Sequence, residues 1–391
     1  MRYPVLPVVA LPLVFSACQN QQTAKQERSE KPNIIILFAD DLGYGDLGCQ
    51  GHPTIETPNI DNMAKAGMRF TQFYVGASVS SPSRGALLTG RLPVRTGLYG
   101  VRKSVFFCES TGGIPESEIT LAEGMKDCGY ATACIGKWHL GHTNGHLPTS
   151  QGFDYFYGLP YSNDMSPANN SWSGVSHCRP LPLMRNTVTI EEEPNQDSLT
   201  YNYTREALGF IDKNTDNPFF LYLPYTFPHT PLHVSGNFKG KSKRGLYGDA
   251  VAEIDWSVGT ILDHLKELGI EKNTLVFFSS DNGPWYLRRH NGGSSGILYE
   301  GKGSTWEGGM RVPGIAYWPG TIESGKVNMS VTNTMDVYMT ALSIAGFNFP
   351  EDRVYDGYDI SPILFGQKEN VHDEMYYYEG NELYAFRKGP W

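Results

Sequence analysis

Two clusters of acidic and amide side chains, far apart in the chain, have the composition of a metal site. Asp40 and Asp41 form the first cluster, and Asp281 with Asn282 forms the second. Carboxylate and amide oxygens favour hard cations such as Ca²⁺ and Mg²⁺ over zinc. Three buried carboxylates without a cation would repel one another and could not all stay ionised. Either cluster alone is more typical of a turn or a helix cap, so a metal site requires that the two meet in the fold.

A segment rich in serine and arginine covers residues 80–91, with the sequence SSPSRGALLTGR. One interpretation is a serine-rich loop that caps a short helix, which Gly90 ends. The other is an anion site, because Ser80 and Arg84 would then lie at the positive end of that helix, where an oxyanion binds well. The local pattern does not decide between the two interpretations.

Four short apolar runs each lead into polar residues. The runs are Ile34 to Phe38, Ala131 to Ile135, Phe219 to Leu223 and Leu275 to Phe278. Continuous apolar runs of this length are typical of strands that are buried on both faces. The two acidic clusters follow the first and last runs, Lys137 and His139 follow the second, and His229 follows the third.

Helical patterns lie between these runs. Thr57 and Pro58 predict the cap and first turn of a helix over residues 59–66, and apolar residues from Val251 to Leu265 recur at helical spacing. Strands that alternate with helices predict an α/β fold with a mostly parallel sheet. In such sheets ligands bind beyond the carboxyl ends of the strands. All four runs place charged or metal-binding residues at that end.

The set of motifs resembles the type I, formylglycine-dependent sulfatase family, in whose signature the residue at position 80 is oxidised to formylglycine. The resemblance covers about residues 32–391 and is strongest to the arylsulfatase A and N-acetylgalactosamine-6-sulfatase type. Serine at position 80, where cysteine is commoner, indicates a bacterial member of the serine type. The further motifs, in chain order, are DDLGYGD from Asp40, TPNID from Thr57, GKWHLG from Gly136, PHTP from Pro228, SDNG from Ser280 and GKG from Gly301.

The resemblance implies a fold and a role for each matching residue. The fold would be alkaline-phosphatase-like, a large and mostly parallel sheet between helices with a small C-terminal antiparallel domain. The implied metal ligands, for Ca²⁺ before Mg²⁺, are Asp40, Asp41, Asp281, Asn282 and the residue made from Ser80. The implied catalytic residues are Ser80 as nucleophile, Arg84 beside it, Lys137 and Lys302 on the sulfate oxygens, His139 at the formylglycine hydrate, and His229 at the sulfate or the leaving oxygen. Further candidates for substrate contacts are His142, His233 and His290.

The implied reaction is hydrolysis of a sulfate monoester. Such a substrate is anionic and repels nucleophiles, so the cation, the arginine and the lysines must stabilise charge on the sulfuryl oxygens. One hydroxyl of the formylglycine hydrate would attack sulfur, and removal of the proton from the other would expel sulfate. An unmodified Ser80 lacks the second hydroxyl. A maturase that oxidises serine is therefore an implied partner.

Composition excludes several classes of protein. The 391 residues include 32 Lys and Arg against 41 Asp and Glu, a net charge of −9, and no lysine- or arginine-rich block. Nucleic-acid binding is therefore excluded as the main function. A hydrophobic content of 40% with 19% charged residues supports a buried core and excludes wholesale disorder. Two rival functions stay open: a phosphate-ester or phosphonate hydrolase of the alkaline-phosphatase superfamily, and a non-catalytic glycan-binding relative.

The first 18 residues have the order of a secretory signal, with a basic residue, an apolar run and small residues before Cys18. The end of this segment resembles a bacterial lipoprotein cleavage site, and simple secretion is the alternative. Residues 19–31 are polar and would form a tether. We expect export to the periplasm or the bacterial cell envelope, with a lipid on Cys18 as the only contact with a membrane.

Residues 32–370 are expected to form the catalytic domain, and residues 371–391 the start of a C-terminal subdomain that is largely missing from this chain. Residues 157–193 are expected to form a pocket rim. A sulfated glycan is favoured over a free aryl sulfate as the substrate. The aromatic residues of the rim would pack locally or stack on a sugar: Tyr157, Tyr161 and Trp172.

Five cysteines follow Cys18, and none has paired metal-ligand spacing. Because their number is odd, at least one thiol is unpaired. Cys128 and Cys134 are expected in the core. The spacing defines no disulfide pattern.

Overall fold

The computed structural model describes residues 1, 3–4, 31–98, 104–143, 145–169 and 175–391. The predicted signal and tether (1–18 and 19–31) lie almost entirely outside these residues, as does Trp172. The main element is a ten-stranded sheet. Its strands are β1 (Asn33–Ala39), β2 (Met68–Tyr74), β3 (Ala131–Lys137), β4 (Tyr155–Leu159), β5 (Pro182–Arg185), β6 (Val188–Glu192), β7 (Phe219–Pro224), β8 (Thr274–Ser280), β9 (Arg311–Tyr317) and β10 (Lys326–Asn333).

The strand order in the sheet is β10-β2-β9-β8-β1-β7-β3-β4-β5-β6. Only β9 and β5 run against the common direction. The central strand β1 pairs in parallel with both β7 and β8, so that Ile36 lies opposite Tyr222 and Phe277. The four predicted strands are confirmed as β1, β3, β7 and β8, and they are neighbours at the centre of the sheet. Their carboxyl ends therefore lie side by side along one edge.

Helices cover both faces of the sheet. They are α1 (Pro58–Ala66), α2 (Ser80–Thr89), α3 (Pro93–Thr96), α4 (Leu121–Asp127), α5 (Leu199–Lys213), α6 (Leu246–Glu267), α7 (Glu307–Met310), α8 (Thr334–Ala345) and α9 (Ser361–Leu364). Residues of β1 alternate between two cores, since Ile34 and Phe38 pack with α2, α4 and α8, whereas Ile35 and Leu37 pack with α1, α5 and α6. Burial on both faces explains the continuous apolar runs. No helix among the described residues has the length and apolar character required to cross a membrane.

The two predicted helices are present as α1 and α6. Thr57 is the N-cap residue of α1 and Pro58 begins the helix, as predicted, but the Thr57 side chain makes no capping hydrogen bond. Its hydroxyl instead accepts a hydrogen bond from the Gly48 N–H at 2.9 Å and donates to Asp61 at 2.9 Å. The side chain thus joins the start of the helix to the preceding loop.

The small antiparallel element expected at the C-terminus is present as a two-stranded hairpin, β11 (Glu374–Glu379) and β12 (Glu382–Lys388). The hairpin packs against β2 through aromatic and arginine contacts. The Tyr377 ring lies 5.9 Å from the Tyr74 ring, nearly perpendicular to it. Arg387 donates to the Gln72 side chain at 2.6 Å and to the Tyr74 hydroxyl at 3.1 Å.

Cys108 and Cys178 form a disulfide across a sequence separation of 70 residues, a pairing that the spacing of the cysteines left open. Cys49, Cys128 and Cys134 are free thiols among the described residues. Cys134 is fully buried in β3, as expected for a core residue, and Cys128 is partly buried after α4.

Asp46 organises the loop that follows β1. Its Oδ2 accepts hydrogen bonds from the Gly43 N–H at 2.7 Å and the Tyr247 hydroxyl at 2.6 Å, and its Oδ1 accepts one from the Ser294 N–H at 2.9 Å. A Cβ atom on Gly43 would lie 2.2 Å from the Ser294 carbonyl oxygen, so this close approach requires glycine. Asp46 therefore holds two loops together beside the carboxyl edge of the sheet.

We expect Asp46→Asn to lower the free energy of unfolding by about 2–3 kcal/mol, because an amide NH₂ group would face buried donors. Tyr247→Phe removes a single donor and should cost about 1 kcal/mol. Urea unfolding followed by circular dichroism measures both losses. A loss for Asp46→Asn no larger than that for Tyr247→Phe would contradict the role given to the carboxylate.

Candidate active site

Three carboxylates meet at the carboxyl ends of β1 and β8. Asp40 and Asp41 follow β1, Asp281 follows β8, and each is at most 2% exposed. Oxygens of all three lie within 4.8 Å of one another. The Asp41 N–H donates to Asp281 Oδ1 at 3.0 Å, and Asp41 has a φ of 62°, a left-handed conformation that non-glycine residues seldom adopt. The two acidic clusters of the sequence therefore form one site.

Asn282 completes a donor set made only of oxygen. Its Nδ2 donates to Asp41 Oδ1 at 2.7 Å and to the Gly283 carbonyl at 2.9 Å. Its Oδ1 is buried and accepts no hydrogen bond from any residue that the structure describes. Buried carbonyl oxygens rarely lack a partner. A carbonyl oxygen without a partner beside three carboxylates fits a hard divalent cation.

Ser80 is the first residue of α2, and its hydroxyl points to the acidic cluster. The Oγ donates to Asp281 Oδ2 at 2.6 Å and lies 3.2 Å from Asp40 Oδ1. The helix cap is Val79, so the interpretation of a serine that caps the helix is wrong. Gly90, with a φ of 67°, ends the helix as predicted. The positive end of α2 thus faces the site, as the anion-site interpretation requires.

Three cations lie against the three carboxylates. The shortest contacts are Arg84 Nη2 to Asp281 Oδ2 at 2.7 Å, Lys137 Nζ to Asp40 Oδ2 at 2.5 Å and Lys302 Nζ to Asp41 Oδ1 at 2.7 Å. The Arg84 and Lys137 side chains are fully buried, whereas the Lys302 side chain is 12% exposed. Of the three cations, Lys302 is therefore the one best placed to meet a ligand that enters from solvent.

Burial and ion pairing act in opposite directions on these groups. Burial raises the pKa of Asp41 to about 6, although Lys302 opposes the shift. Burial alone would also raise the pKa of Asp40. The charges of Lys137 and Arg84 outweigh this effect, so the pKa of that carboxyl is lowered. Burial lowers the pKa of Lys137. A divalent cation at the cluster would favour the ionised form of all three carboxylates.

Two histidines face the same site. His139 Nε2 lies 2.8 Å from the Phe106 carbonyl oxygen, which can only accept, so this nitrogen carries the proton. His139 Nδ1 therefore has a free lone pair, and it is buried without a partner among the described residues. His229 Nε2 lies 3.7 Å from Asp41 Oδ2. Burial, reinforced by nearby lysines, lowers the pKa of both imidazoles.

A cavity of about 610 Å³ opens at Ser80. His139, His229 and Lys302 line its inner part. The outer wall is formed by residues from several loops, namely Ser104, Val105, Phe107, Ser162, Asp164, Met165, Trp285, Leu287 and Arg288. The cavity is therefore wide enough for far more than a sulfate ion.

Ser162 and Trp285 are site residues that the sequence did not reveal. The Ser162 Oγ accepts a hydrogen bond from Lys137 Nζ at 3.1 Å. The Trp285 ring lies 5.5 Å from the His229 ring and 4.5 Å from Lys302 Nζ. Neither residue belongs to a motif, and nothing in their spacing separates them from other loop residues.

Several residues considered as substrate contacts do not line the cavity. His233 Nδ1 is bound to Asp197 at 2.8 Å, and the His142 ring packs 5.1 Å from the Tyr161 ring. His290 is also outside the set of described lining residues. Tyr157 lies beneath the Arg185 guanidinium at 4.9 Å. Neither tyrosine lines the cavity at Ser80, and both make local ring contacts.

Comparison with known proteins agrees with this geometry. A family model described as "Sulfatase" matches residues 32–347. The chain is 44% identical over 379 residues to mouse N-acetylgalactosamine-6-sulfatase, with 93% of this chain and 71% of the relative covered. It is 41% identical over 379 residues to human arylsulfatase A, with 92% and 74% covered. The chain belongs to the sulfatase family.

The fold agrees with this assignment. The crystal structure of the PsFucS1 sulfatase from Pseudoalteromonas sp. matches with a TM-score of 0.85 and 34% identity, over 93% of this chain and 78% of that one. The expected alkaline-phosphatase-like architecture is therefore confirmed, and the protein is a sulfuric ester hydrolase. Membership of the family implies a formylglycine and a divalent metal. Asp40, Asp41 and Asp281 lie where that metal could bind.

Ser162→Ala should lower kcat/KM for sulfate-ester hydrolysis by about five-fold, because Lys137 loses a hydrogen bond that orients its ammonium group and one such bond contributes about 1 kcal/mol. Steady-state kinetics on the matured enzyme measures the change, and the melting temperature controls for unfolding. A kcat/KM equal to that of the wild type would show that the hydroxyl does not position Lys137.

Proposed function

We propose that the protein hydrolyses sulfate monoesters of a glycan, with formylglycine made from Ser80 as the nucleophile and Ca²⁺ bound at the acidic cluster. The observation that carries this proposal is the position of Ser80. Its Oγ contacts two carboxylates of the cluster at 2.6 and 3.2 Å and also lines the cavity. A nucleophile made at this atom would meet both the bound cation and an entering sulfate group.

The donor set supports Ca²⁺ over Mg²⁺. Asp40, Asp41, Asp281 and Asn282 offer three carboxylates and an amide oxygen from the protein itself. Ca²⁺ takes six to eight oxygens and accepts bidentate carboxylates, whereas Mg²⁺ usually keeps several waters and one or two carboxylates. The cation would supply positive charge for the sulfuryl oxygens of the substrate.

The surrounding residues would bind the sulfate and move protons. Hydrated formylglycine offers two hydroxyls on one carbon, so that one can attack sulfur and loss of the proton from the other can release sulfate. His139 Nδ1, which has a free lone pair, would accept that proton. Lys137 and Lys302 would hold the sulfate oxygens, and Arg84 would orient the nucleophile through Asp281. His229 would donate a hydrogen bond to the leaving oxygen.

The size and polarity of the cavity support a carbohydrate substrate. Its volume of about 610 Å³ accommodates a sugar ring beyond the sulfate, and serine and aspartate side chains on its wall can bind hydroxyl groups. The similarity to an enzyme named N-acetylgalactosamine-6-sulfatase supports the same class. We therefore propose a sulfated saccharide rather than a simple aryl sulfate.

Maturation and export belong to the same proposal. A maturase that oxidises serine would produce the formylglycine. Residues 1–18 would direct export, with a lipid on Cys18 and a tether over residues 19–31, and residues 32–370 would form the catalytic domain in the periplasm or cell envelope. The order of basic, apolar and small residues at the start of the chain supports export.

Mass spectrometry of the peptide that contains Ser80, taken from the native host, should show the loss of two hydrogens. In a host whose maturase oxidises only cysteine, the wild type should fold but remain inactive, whereas Ser80→Cys should be matured and active. Ser80→Ala should lose sulfate release by at least about 10³-fold in either host. Active enzyme with an unmodified Ser80 would refute the formylglycine proposal.

Sulfate release from a panel of defined sulfated saccharides tests the substrate class. The matured enzyme should release sulfate from at least one saccharide with a higher kcat/KM than from p-nitrophenyl sulfate, and phosphate release from the matched phosphate esters should be lower. Faster phosphate release would instead assign the protein to the phosphate-ester hydrolases. Binding of saccharides without turnover, after confirmed oxidation of Ser80, would indicate a non-catalytic protein.

Removal of the metal with a chelator should lower the melting temperature, and Ca²⁺ at about 100 times its Kd should restore about 2.7 kcal/mol of stability. Asn282→Leu should abolish this Ca²⁺-dependent shift, since it removes the unpartnered Oδ1. The matched control is Asn163→Leu, because Asn163 is also a buried asparagine whose Oδ1 lacks a described partner but does not contact the carboxylates. A Ca²⁺-dependent shift retained in Asn282→Leu and lost in Asn163→Leu would contradict the site.

A further inference from the structure

The outer part of the cavity holds one acidic and one basic side chain without ion-pair partners among the described residues, Asp164 and Arg288. In the inner part, by contrast, three cations lie against three carboxylates. Beyond the position of the scissile sulfate, a substrate would therefore meet one acidic side chain, Asp164, and one basic side chain, Arg288. The positions of Asp164 and Arg288 restrict which charged groups the rest of the substrate can carry.

Arg288 is held in place by Trp285. Its Cζ lies 3.9 Å from the centroid of the Trp285 ring, a close cation–π contact. Its Nε is buried and has no hydrogen-bond partner in the described part of the chain. The guanidinium is thus oriented by an aromatic face rather than by a carboxylate, and its two Nη groups, which have no hydrogen-bond partner among the described residues, remain available to a ligand.

Lys302 contacts the same ring. Its Nζ lies 4.5 Å from the centroid of Trp285. Since Arg288 Cζ lies 3.9 Å from that centroid, Lys302 Nζ and Arg288 Cζ are at most about 8.4 Å apart. That separation suits two acidic substituents on one sugar ring or on two linked rings. Lys302 also contacts Asp41 of the inner site, whereas Arg288 does not, so Arg288 supplies a second and separate positive position.

Asp164 restricts the opposite side of the cavity. It follows β4, whereas Arg288 follows β8, and three strands lie between these two in the sheet. Its side chain is 8% exposed, and its Oδ1 is buried without a described partner. A carboxylate in this state accepts hydroxyl donors and repels anions. A second acidic group of the substrate is therefore excluded from the side of Asp164 and favoured on the side of Arg288.

We propose that Arg288 binds a second anionic group of the substrate, so that the enzyme selects saccharides that carry a carboxylate or a further sulfate in addition to the scissile sulfate. Trp285 is the positioning residue that fixes the distance between Arg288 and Lys302. Asp164 binds hydroxyls of the same saccharide. This inference rests on the proposed function and names the substrate class more narrowly.

The test measures affinity without turnover. Calorimetry on the Ca²⁺-loaded Ser80→Ala protein, at constant ionic strength because ion pairs are screened by salt, gives the Kd of matched probes. One pair is a monosulfated hexosamine and the same sugar with a second sulfate. The other pair is a monosulfated disaccharide with a hexuronate and its neutral uronate methyl ester. The first pair tests a second sulfate and the second pair tests a carboxylate as the source of the anion.

In at least one pair we expect the doubly acidic probe to bind about ten-fold more tightly or better, as a charge-assisted pair with arginine allows. Arg288→Gln should reduce this preference to about one. Arg289→Gln is the matched control, because it makes the same change at the next residue, whose side chain is exposed and does not line the cavity; it should keep the preference.

Equal Kd values within both pairs, absence of binding by all four probes, or a preference that survives Arg288→Gln would overturn the inference. Failure of the proposed function is a separate result, since it would be seen as a matured wild-type enzyme that releases no sulfate from any ester. Arg288→Lys adds a second measurement. It should retain part of the preference, because it keeps the charge but loses the planar contact with Trp285.

Discussion

Mutual repulsion of three buried carboxylates is the constraint on which the rest of the site depends. Asp40, Asp41 and Asp281 are too close together and too far from water to stay ionised unless positive charge is brought to them. The fold supplies that charge from separate elements, with one arginine on α2, one lysine at the end of β3 and one in the loop after β8. Their close contacts explain why an arginine and a lysine are fully buried, which is otherwise costly. A bound divalent cation would add to this balance and free the lysines to contact an anionic substrate.

The order of the strands makes this meeting of charges possible. The acidic residues follow β1 and β8, which are neighbours. On the other side of β1, Lys137 ends β3, His139 follows β3, and His229 follows β7. In a parallel sheet with helices on both faces, the carboxyl ends of adjacent strands are the place where side chains from distant parts of the chain converge. The hydrophobic cores on the two faces fix this edge, and Asp46 fixes the adjoining loops. The positions of the site side chains therefore depend on packing in parts of the fold that do not contact the substrate.

Much of this arrangement was predictable from the sequence because it depends on patterns that extend over several residues. Strands buried on both faces leave continuous apolar runs, and each of the four central strands was found in this way. The remaining features depend on single residues brought together by the tertiary fold. Ser162 and Trp285 lie in irregular loops, and the disulfide between Cys108 and Cys178 closes a separation that no spacing rule defines. Thr57 is the N-cap residue that local preference predicts, but its hydroxyl binds the preceding loop instead of a backbone N–H of the helix.

The inner and outer parts of the cavity are subject to different physical limits. In the inner part, a substitution that changes the charge of one residue leaves a buried carboxylate or cation without its partner. The residues of the inner part can therefore vary little. The outer wall comes from loops after β4 and β8, where side chains can change without disturbing the sheet.

A chain with a net charge of −9 repels anionic saccharides at long range, and ionic strength screens that repulsion beyond about 8–10 Å. Attraction must therefore act at short range, and Lys302 and the Arg288 guanidinium on the Trp285 ring are cations of the cavity lining that can provide it. Under the proposed function, selection among sulfated saccharides would be separated from catalysis, since Arg288 is not among the cations that contact the acidic cluster.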